Sequence, residues 1–139
     1  EIRGLAGDAK KTQVAYAIDK LELQSVMNQP IDTLSKGFKR RVGFAQAVLH
    51  DPEVLILDEP TDGLDPNQKH QVRELIAEMA TEKAIVISTH ILEEVEAVCT
   101  RAVIIAAGKI VFDDTPAKLK AQSSSGSLDE VFRQLTLVN

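Results

Sequence analysis

Apolar residues recur every three or four positions near the start of the chain. They are Val14, Ile18 and Leu21. This spacing predicts an amphipathic helix over residues 9–23. Pro30 interrupts the pattern, and the hydroxyl of Ser35 offers a cap for a second helix that runs to about His50. The first part of the chain is therefore predicted to be a small helical unit.

Two short, continuous apolar runs follow, at residues 54–57 and 84–87, with a helical pattern over residues 66–82 between them. A continuous apolar run of this length is typical of a strand that is buried on both faces. Because a buried strand, a helix and another buried strand form a crossover unit, the pattern predicts a parallel sheet. The fold class is therefore expected to be α/β.

The last part of the chain repeats the alternation of helix and strand. A helix with one apolar face precedes two runs at residues 102–105 and 110–112, which Gly108 separates. This arrangement predicts a hairpin at the edge of the sheet. A short Lys-rich helix after Pro116, a serine-rich stretch and a final helix over residues 128–135 are expected to form a peripheral tail.

Composition narrows the function without identifying it. The 139 residues carry a net charge of -5, which argues against a protein that binds nucleic acid through a broad basic surface. No apolar run approaches the ~20 residues needed to cross a bilayer. The single cysteine, Cys99, can form neither an internal disulfide nor a cysteine-based zinc site, so we expect a cytoplasmic protein. Because the chain begins at Glu1 rather than Met, we also expect a piece of a longer protein.

Two adjacent carboxylates end the first predicted strand. Asp58 and Glu59 would lie at the carboxyl edge of a parallel sheet, where such sheets bind ligands. Asp58 suits a magnesium ion, and Glu59 suits a base that orients and activates the water attacking a phosphoryl group. The alternative is a pair of solvated acids at the end of a strand.

Two further segments carry candidate phosphate contacts. Ser35 and Gly37 would lie at a helix N-terminus, which favours an anion, although a plain helix cap is the alternative. His90 follows the second strand, so we expect it near the acids, where its imidazole would contact a γ-phosphate or orient Glu59; a cap or packing role is the alternative. The basic run at 39–41 is interpreted as a solvated helix face.

Three motifs in order resemble those of the ATP-binding cassette (ABC) ATPases. Residues 58–66, Asp-Glu-Pro-Thr-Asp-Gly-Leu-Asp-Pro, resemble the strand end and following loop of that family. Residues 34–38, Leu-Ser-Lys-Gly-Phe, resemble its signature Leu-Ser-Gly-Gly-Gln, and residues 88–90, Ser-Thr-His, resemble its switch-histidine segment.

The resemblance implies a role for each matched residue. Glu59 would be the catalytic base and His90 the γ-phosphate switch, while Asp58 would hold Mg²⁺. The signature residues would contact the ATP of a second subunit. They are Ser35, Lys36 and Gly37. Asp65 resembles the residue of the loop that crosses the dimer interface, a role compatible with capping the next helix.

The resemblance also implies an architecture and partners. The expected fold is an α/β, P-loop NTPase-type parallel sheet flanked by helices, truncated, with part of the helical signature subdomain. Residues 1–51 would be that incomplete subdomain, residues 52–112 the C-terminal half of the catalytic core and residues 113–139 a C-terminal tail. The implied cofactors are ATP and Mg²⁺. The implied partners are a transmembrane permease subunit and a second ATPase subunit, as in a homodimer, with no nucleic acid; the protein would lie on the inner face of the membrane.

The chain departs from the family pattern at several points. Lys36 replaces a glycine and Phe38 a glutamine, and no G-x-x-x-x-G-K-[ST] phosphate loop occurs in the sequence. We therefore expect the C-terminal part of a nucleotide-binding domain, inactive alone. Residues 34–43 and 127–136 resemble the corresponding segments of an exporter branch that includes multidrug, polysaccharide and gliding-motility transporters of bacteria. The alternatives are a soluble ABC ATPase acting on nucleic acid, and a non-catalytic interaction or dimerisation fragment.

Overall fold

A computed structural model describes residues 6–123 and 125–137. Contacts divide the chain into two compact units, Glu1–Ser88 and Thr89–Asn139, and each is described by itself. These units do not test the three-part division expected at residues 51 and 112, which stays a prediction.

The first unit alternates helices and strands. In chain order it contains α1 (Gly7–Lys20), two 3-10 turns (Gln24–Val26 and Ile31–Thr33), α2 (Lys36–Val48), β1 (Val54–Asp58), α3 (Pro66–Met79) and β2 (Ala84–Ser88). Pro66 occupies the first turn of α3, where its fixed φ suits the helix and its missing N–H costs nothing. Each predicted helix and strand of this unit is present, with bounds that differ by a few residues.

The two strands of the first unit are parallel, as predicted. Leu55 lies opposite Ile85, and Asp58 lies opposite Ser88 at the carboxyl ends. Burial alternates along β1, however, because Leu55 is 4% exposed whereas Ile56 is 76% exposed. The prediction of strands buried on both faces is wrong for the described chain, whose residues cover only one face of this sheet.

Helix α3 supplies much of the buried apolar surface of the first unit. Its buried residues are Val72, Leu75, Ile76 and Met79. They follow the spacing i, i+3, i+4, i+7, which places them on one face of a helix. From α2, Phe44 and Val48 are also buried.

The second unit contains a hairpin and three helices. Its elements are α4 (Leu92–Val98), β3 (Ala102–Ala106), β4 (Lys109–Asp114), α5 (Pro116–Lys120) and α6 (Leu128–Leu137). The hairpin turns through Ala107 and Gly108, both with positive φ, as a two-residue turn between twisted strands requires. The hairpin was predicted, but its place at the edge of the first sheet was not correct, because β3 and β4 form a two-stranded sheet of their own.

The core of the second unit joins the hairpin to the last two helices. It consists of Ala102, Ile104, Phe112, Leu119, Leu128 and Val131. Half of these residues belong to the segment that was expected to be a peripheral tail. That expectation is wrong, because Leu119 and Val131 are each only 1% exposed.

None of the helices in the described part of the chain is both long enough and apolar enough to span a bilayer.

Candidate active site

The acid pair lies at the carboxyl ends of two parallel strands. Asp58 is the last residue of β1, and its exposed carboxylate accepts a hydrogen bond from the Ser88 hydroxyl, at the end of β2. The Glu59 N–H donates to the Ser88 carbonyl oxygen at 2.9 Å. Glu59 has a φ of +49°, a left-handed conformation that is uncommon for a residue with a side chain and that clusters at functional sites.

Asp58 has the chemistry of a magnesium ligand. Magnesium in phosphate-transfer sites takes one or two carboxylates and completes its shell with water and phosphate oxygens. The exposed Asp58 carboxylate fits this requirement. Among the described residues, no group of three or more His, Cys, Asp or Glu side chains is placed to hold a metal ion.

The loop after the acids folds on itself before α3 begins. The Asp62 N–H donates to the Glu59 carbonyl at 3.1 Å, and the Leu64 N–H donates to the Thr61 carbonyl at 3.2 Å. The loop then reaches Asp65, whose carboxylate accepts from the N–H groups of the second and third residues of α3, at 2.9 and 3.0 Å. The predicted cap of α3 is therefore confirmed, while the role of Asp65 at a dimer interface stays a prediction.

The signature segment begins α2. The Ser35 hydroxyl accepts a hydrogen bond from the Phe38 N–H at 3.3 Å, so the predicted cap is present. Gly37 is buried, and a Cβ at this position would lie 2.9 Å from Gln68 Oε1 and 3.5 Å from Leu64 Cδ2. The start of α2 therefore packs closely against the end of the acid loop and the start of α3. Contact of Ser35 and Gly37 with a nucleotide stays a prediction.

Lys36 makes a contact that the sequence did not predict. Its Nζ lies 2.9 Å from Asp62 Oδ2, although the Lys36 side chain is otherwise 65% exposed. One turn later, Arg40 approaches the same oxygen at 3.3 Å. The hydrogen bond from Lys36, followed by its charge, lowers the pKa of Asp62 below its usual range. Two residues four apart on a helix share a face, and an acid in a nearby loop is the only sequence signal of this contact.

The basic run after the signature is not a uniformly solvated face. Arg41 is 5% exposed, its Nη1 donates to the Leu21 carbonyl at 3.1 Å, and its guanidinium lies 4.5 Å from the centre of the Phe38 ring. The interpretation as a solvated face is wrong for Arg41, because a planar guanidinium can stack on an aromatic ring and donate to backbone oxygens. Phe38, the other departure from the family signature, is thus occupied by a contact within the chain.

The signature helix and the acid strand line a common cleft. Its volume is about 400 Å³, and its lining includes Lys36, Arg40, Phe44, Ile56 and Asp58. Cationic residues of the signature helix and the predicted magnesium ligand are thus found around one opening.

His90 belongs to the second unit and is exposed. Its neighbour Thr89 accepts from the Ile91 N–H at 3.1 Å and donates to the buried Glu94 carboxylate at 3.0 Å. These contacts fix the start of α4. The proximity of His90 to Asp58 and Glu59, and its role as a switch, stay predictions.

Comparison with known proteins agrees with the motifs. A family model described as ABC transporter matches residues 2–62. The Nod factor export ATP-binding protein I of Burkholderia orbicola is 37% identical over 84% of this chain and 38% of its own length. The ABC transporter ATP-binding protein NatA of Bacillus subtilis is 32% identical over 93% of this chain and 53% of its own length.

A solved structure described as the ATP binding subunit of an ABC transporter superposes with a TM-score of 0.82 and 30% identity, over 95% of this chain and 56% of that one. The fold is therefore that of an ABC ATPase domain, with a parallel sheet flanked by helices. In sequence and in fold, the chain is therefore similar to ATP-binding proteins of ABC transporters. The chain spans about half, or less, of the length of each of these proteins.

Proposed function

We propose that the chain is part of the ATP-binding and ATP-hydrolysing subunit of an ABC transporter. The observation that carries the proposal is the position of Asp58 and Glu59 at the carboxyl ends of two parallel strands. The Ser88 hydroxyl donates a hydrogen bond to Asp58, and the Ser88 carbonyl accepts one from the Glu59 N–H. Parallel sheets bind their ligands at this edge.

In this proposal Glu59 is the general base. Its carboxylate accepts a proton from the water that attacks the terminal phosphoryl group, as that group leaves the nucleotide. Asp58 holds Mg²⁺, which when bound neutralises charge that develops on the phosphate oxygens. His90 contacts the γ-phosphate or orients Glu59.

The signature residues contact a nucleotide other than the one bound at the acid pair of the same subunit. Free N–H groups and the positive end of α2 favour a phosphate near Ser35 and Gly37. In a head-to-tail pair of subunits this nucleotide belongs to the second copy, with Lys36 beside it and Asp65 in the loop between the two sites. The proposed assembly is a homodimer.

The test of the catalytic role uses a longer version of the chain that adds a phosphate-binding loop. We expect Glu59→Gln to lower the rate of magnesium-dependent ATP hydrolysis by about 10²- to 10⁴-fold, which is the usual contribution of a general base. Nucleotide binding should persist, because glutamine keeps the size of the side chain while it removes the negative charge and replaces one acceptor oxygen with an NH₂ group.

A matched control is Glu53→Gln, at an exposed glutamate just before β1. It should leave the rate within about twofold of the wild type, since surface substitutions away from a site have small effects. Equal losses in both variants would contradict the assignment of Glu59.

We further propose that the transporter exports a solute, and that the subunit lies on the cytoplasmic face of the membrane against a transmembrane permease. Support comes from the name of the Nod factor export relative and from the likeness of the signature to the exporter branch. Reconstitution of a longer version of the chain with a transmembrane permease that binds it should show ATP-dependent efflux from cells or accumulation in inverted vesicles. Transport in the opposite direction would contradict this part of the proposal.

Alone, the 139-residue chain is proposed to be inactive, because its sequence contains no phosphate loop.

A non-catalytic, self-associating fragment is the second candidate, and the exposed apolar side chains of the first sheet favour it. They are Val54, Ile56 and Val86. Exposed apolar strand faces promote association. Light scattering after size-exclusion chromatography should then give more than one chain per particle, and a monomer at high concentration would contradict this candidate. The net charge of -5 does not favour the remaining alternative, a soluble ABC ATPase that acts on nucleic acid.

A further inference from the structure

Lys36 is the residue at which the signature differs most in chemistry from the family pattern, since an ammonium replaces a glycine. The contacts of this side chain lie within the chain. Its Nζ pairs with Asp62 at 2.9 Å, in the loop between the acid pair and Asp65. Two segments that are 26 positions apart in sequence are thereby joined at the candidate site.

A second cation strengthens the same connection. Arg40 lies one helical turn after Lys36 and donates to the same Asp62 oxygen at 3.3 Å. Positions i and i+4 face the same side of a helix, so one carboxylate can accept from both side chains. A small network of this kind holds its geometry better than a single exposed ion pair.

The Lys36 methylene stem makes a contact that does not depend on charge. A Cβ on Gly63 would lie 2.8 Å from Lys36 Cδ and 2.9 Å from its Cε. The backbone of the loop therefore passes directly against the stem, and Gly63 has a φ of +74° that glycine adopts without strain. The lysine needs a glycine at 63 to lie where it does.

We propose that Lys36 is a positioning residue that fastens the acid loop, residues 59–65, to the start of the signature helix. The signature serine and the loop that leads to Asp65 then move as one body. The inference deepens the proposed function, which gives these two segments their meaning, but the contacts themselves involve no nucleotide.

Two amide hydrogens report on the loop directly. The N–H groups of Asp62 and Leu64 donate to carbonyl oxygens within the loop, so opening of the loop accelerates their exchange with deuterium. In the 139-residue chain, we expect Lys36→Met to accelerate both by about two- to fivefold, the range that loss of an exposed ion pair produces. Lys36→Arg should restore the wild-type rate, because it keeps the charge and most of the stem.

The matched control is Lys39→Met. Lys39 lies on the same helix but donates to the Asp32 carbonyl rather than to Asp62, so its loss should leave the two amides unchanged. Raising the salt concentration to 1 M should accelerate exchange more in the wild type than in Lys36→Met, since salt screens both cations of the wild type but only Arg40 in the variant.

The carboxyl titration of Asp62 gives a readout that a purely structural role would not change. By carbon NMR, the pKa of Asp62 should rise towards its ordinary value in Lys36→Met and stay low in Lys39→Met. Equal exchange rates in Lys36→Met and Lys39→Met, or failure of Lys36→Arg to restore protection, would overturn the inference. If Lys36 protects the two loop amides but the longer chain hydrolyses no ATP, the proposed function is overturned and the inference about Lys36 stands.

Discussion

The candidate site of the first unit and the core of the second unit are held together in different ways. In the first, the segments that carry the motifs are positioned by helix caps, close approaches at Gly37 and Gly63, and ion pairs on Asp62. In the second, the hairpin and the last helices close on an apolar core that includes Leu119 and Val131. The comparison teaches that the candidate site depends on short polar contacts at the surface, whereas the second unit depends on burial.

Removing core volume from the second unit should have the largest effect on stability. Leu119→Ala, at a residue 1% exposed, should lower the free energy of unfolding by about 2–5 kcal/mol, because a cavity remains where the side chain was. The same substitution at Leu137, which is 75% exposed in α6, should change it by less than about 0.5 kcal/mol. Urea unfolding measures both, and similar values would break the comparison.

Removing a cap from the first unit should have an intermediate effect. Asp65→Ala should cost about 1 kcal/mol, since two N–H groups at the start of α3 lose their acceptor. The control is Asp32→Ala, at an exposed aspartate in a 3-10 turn. A cost near zero for Asp65→Ala would show that packing against Gly37, rather than the cap, fixes the start of α3.

Low pH should have the smallest effect, through the exposed ion pairs. The hydrogen bond from Arg101, at 2.7 Å, lowers the pKa of Asp113 in the second unit. A carboxyl with a lowered folded-state pKa adds stability that is complete above its unfolded value, about 3.9, and is lost as the pH falls through the folded value.

Urea unfolding at pH 6 and pH 3 tests this pH dependence. Arg101→Met should reduce the loss of stability between the two conditions, whereas Arg133→Met, at an exposed position of α6, should not. An equal loss in the wild type and Arg101→Met would show that other carboxyls cause the acid sensitivity.

Much of the fold could be predicted because the spacing of apolar residues, and the residues that cap or end helices and strands, are local features of the sequence. The caps at Ser35 and Asp65 and the turn at Gly108 each follow from a few adjacent residues, and the parallel strands follow from the order strand, helix, strand. The exposure of Ile56 could not be predicted, because an apolar run shows that a strand can be buried on both faces and not which faces the chain covers.

The surroundings of the candidate site were harder to predict than its residues. The motifs identified the acid pair, but the burial of Arg41 and the pairing of Lys36 with Asp62 depend on how α2 meets segments distant in sequence. A basic run alone does not show which of its members reaches a ring, a carbonyl or a carboxylate.

Calorimetry of magnesium-ATP binding tests the central claim most directly. The measurement compares the 139-residue chain with a longer version that adds a phosphate-binding loop. If the chain supplies the signature and the base of an ABC ATPase, heat of binding should appear with the longer version only. Tight binding by the 139-residue chain alone, or by neither version, would contradict the account.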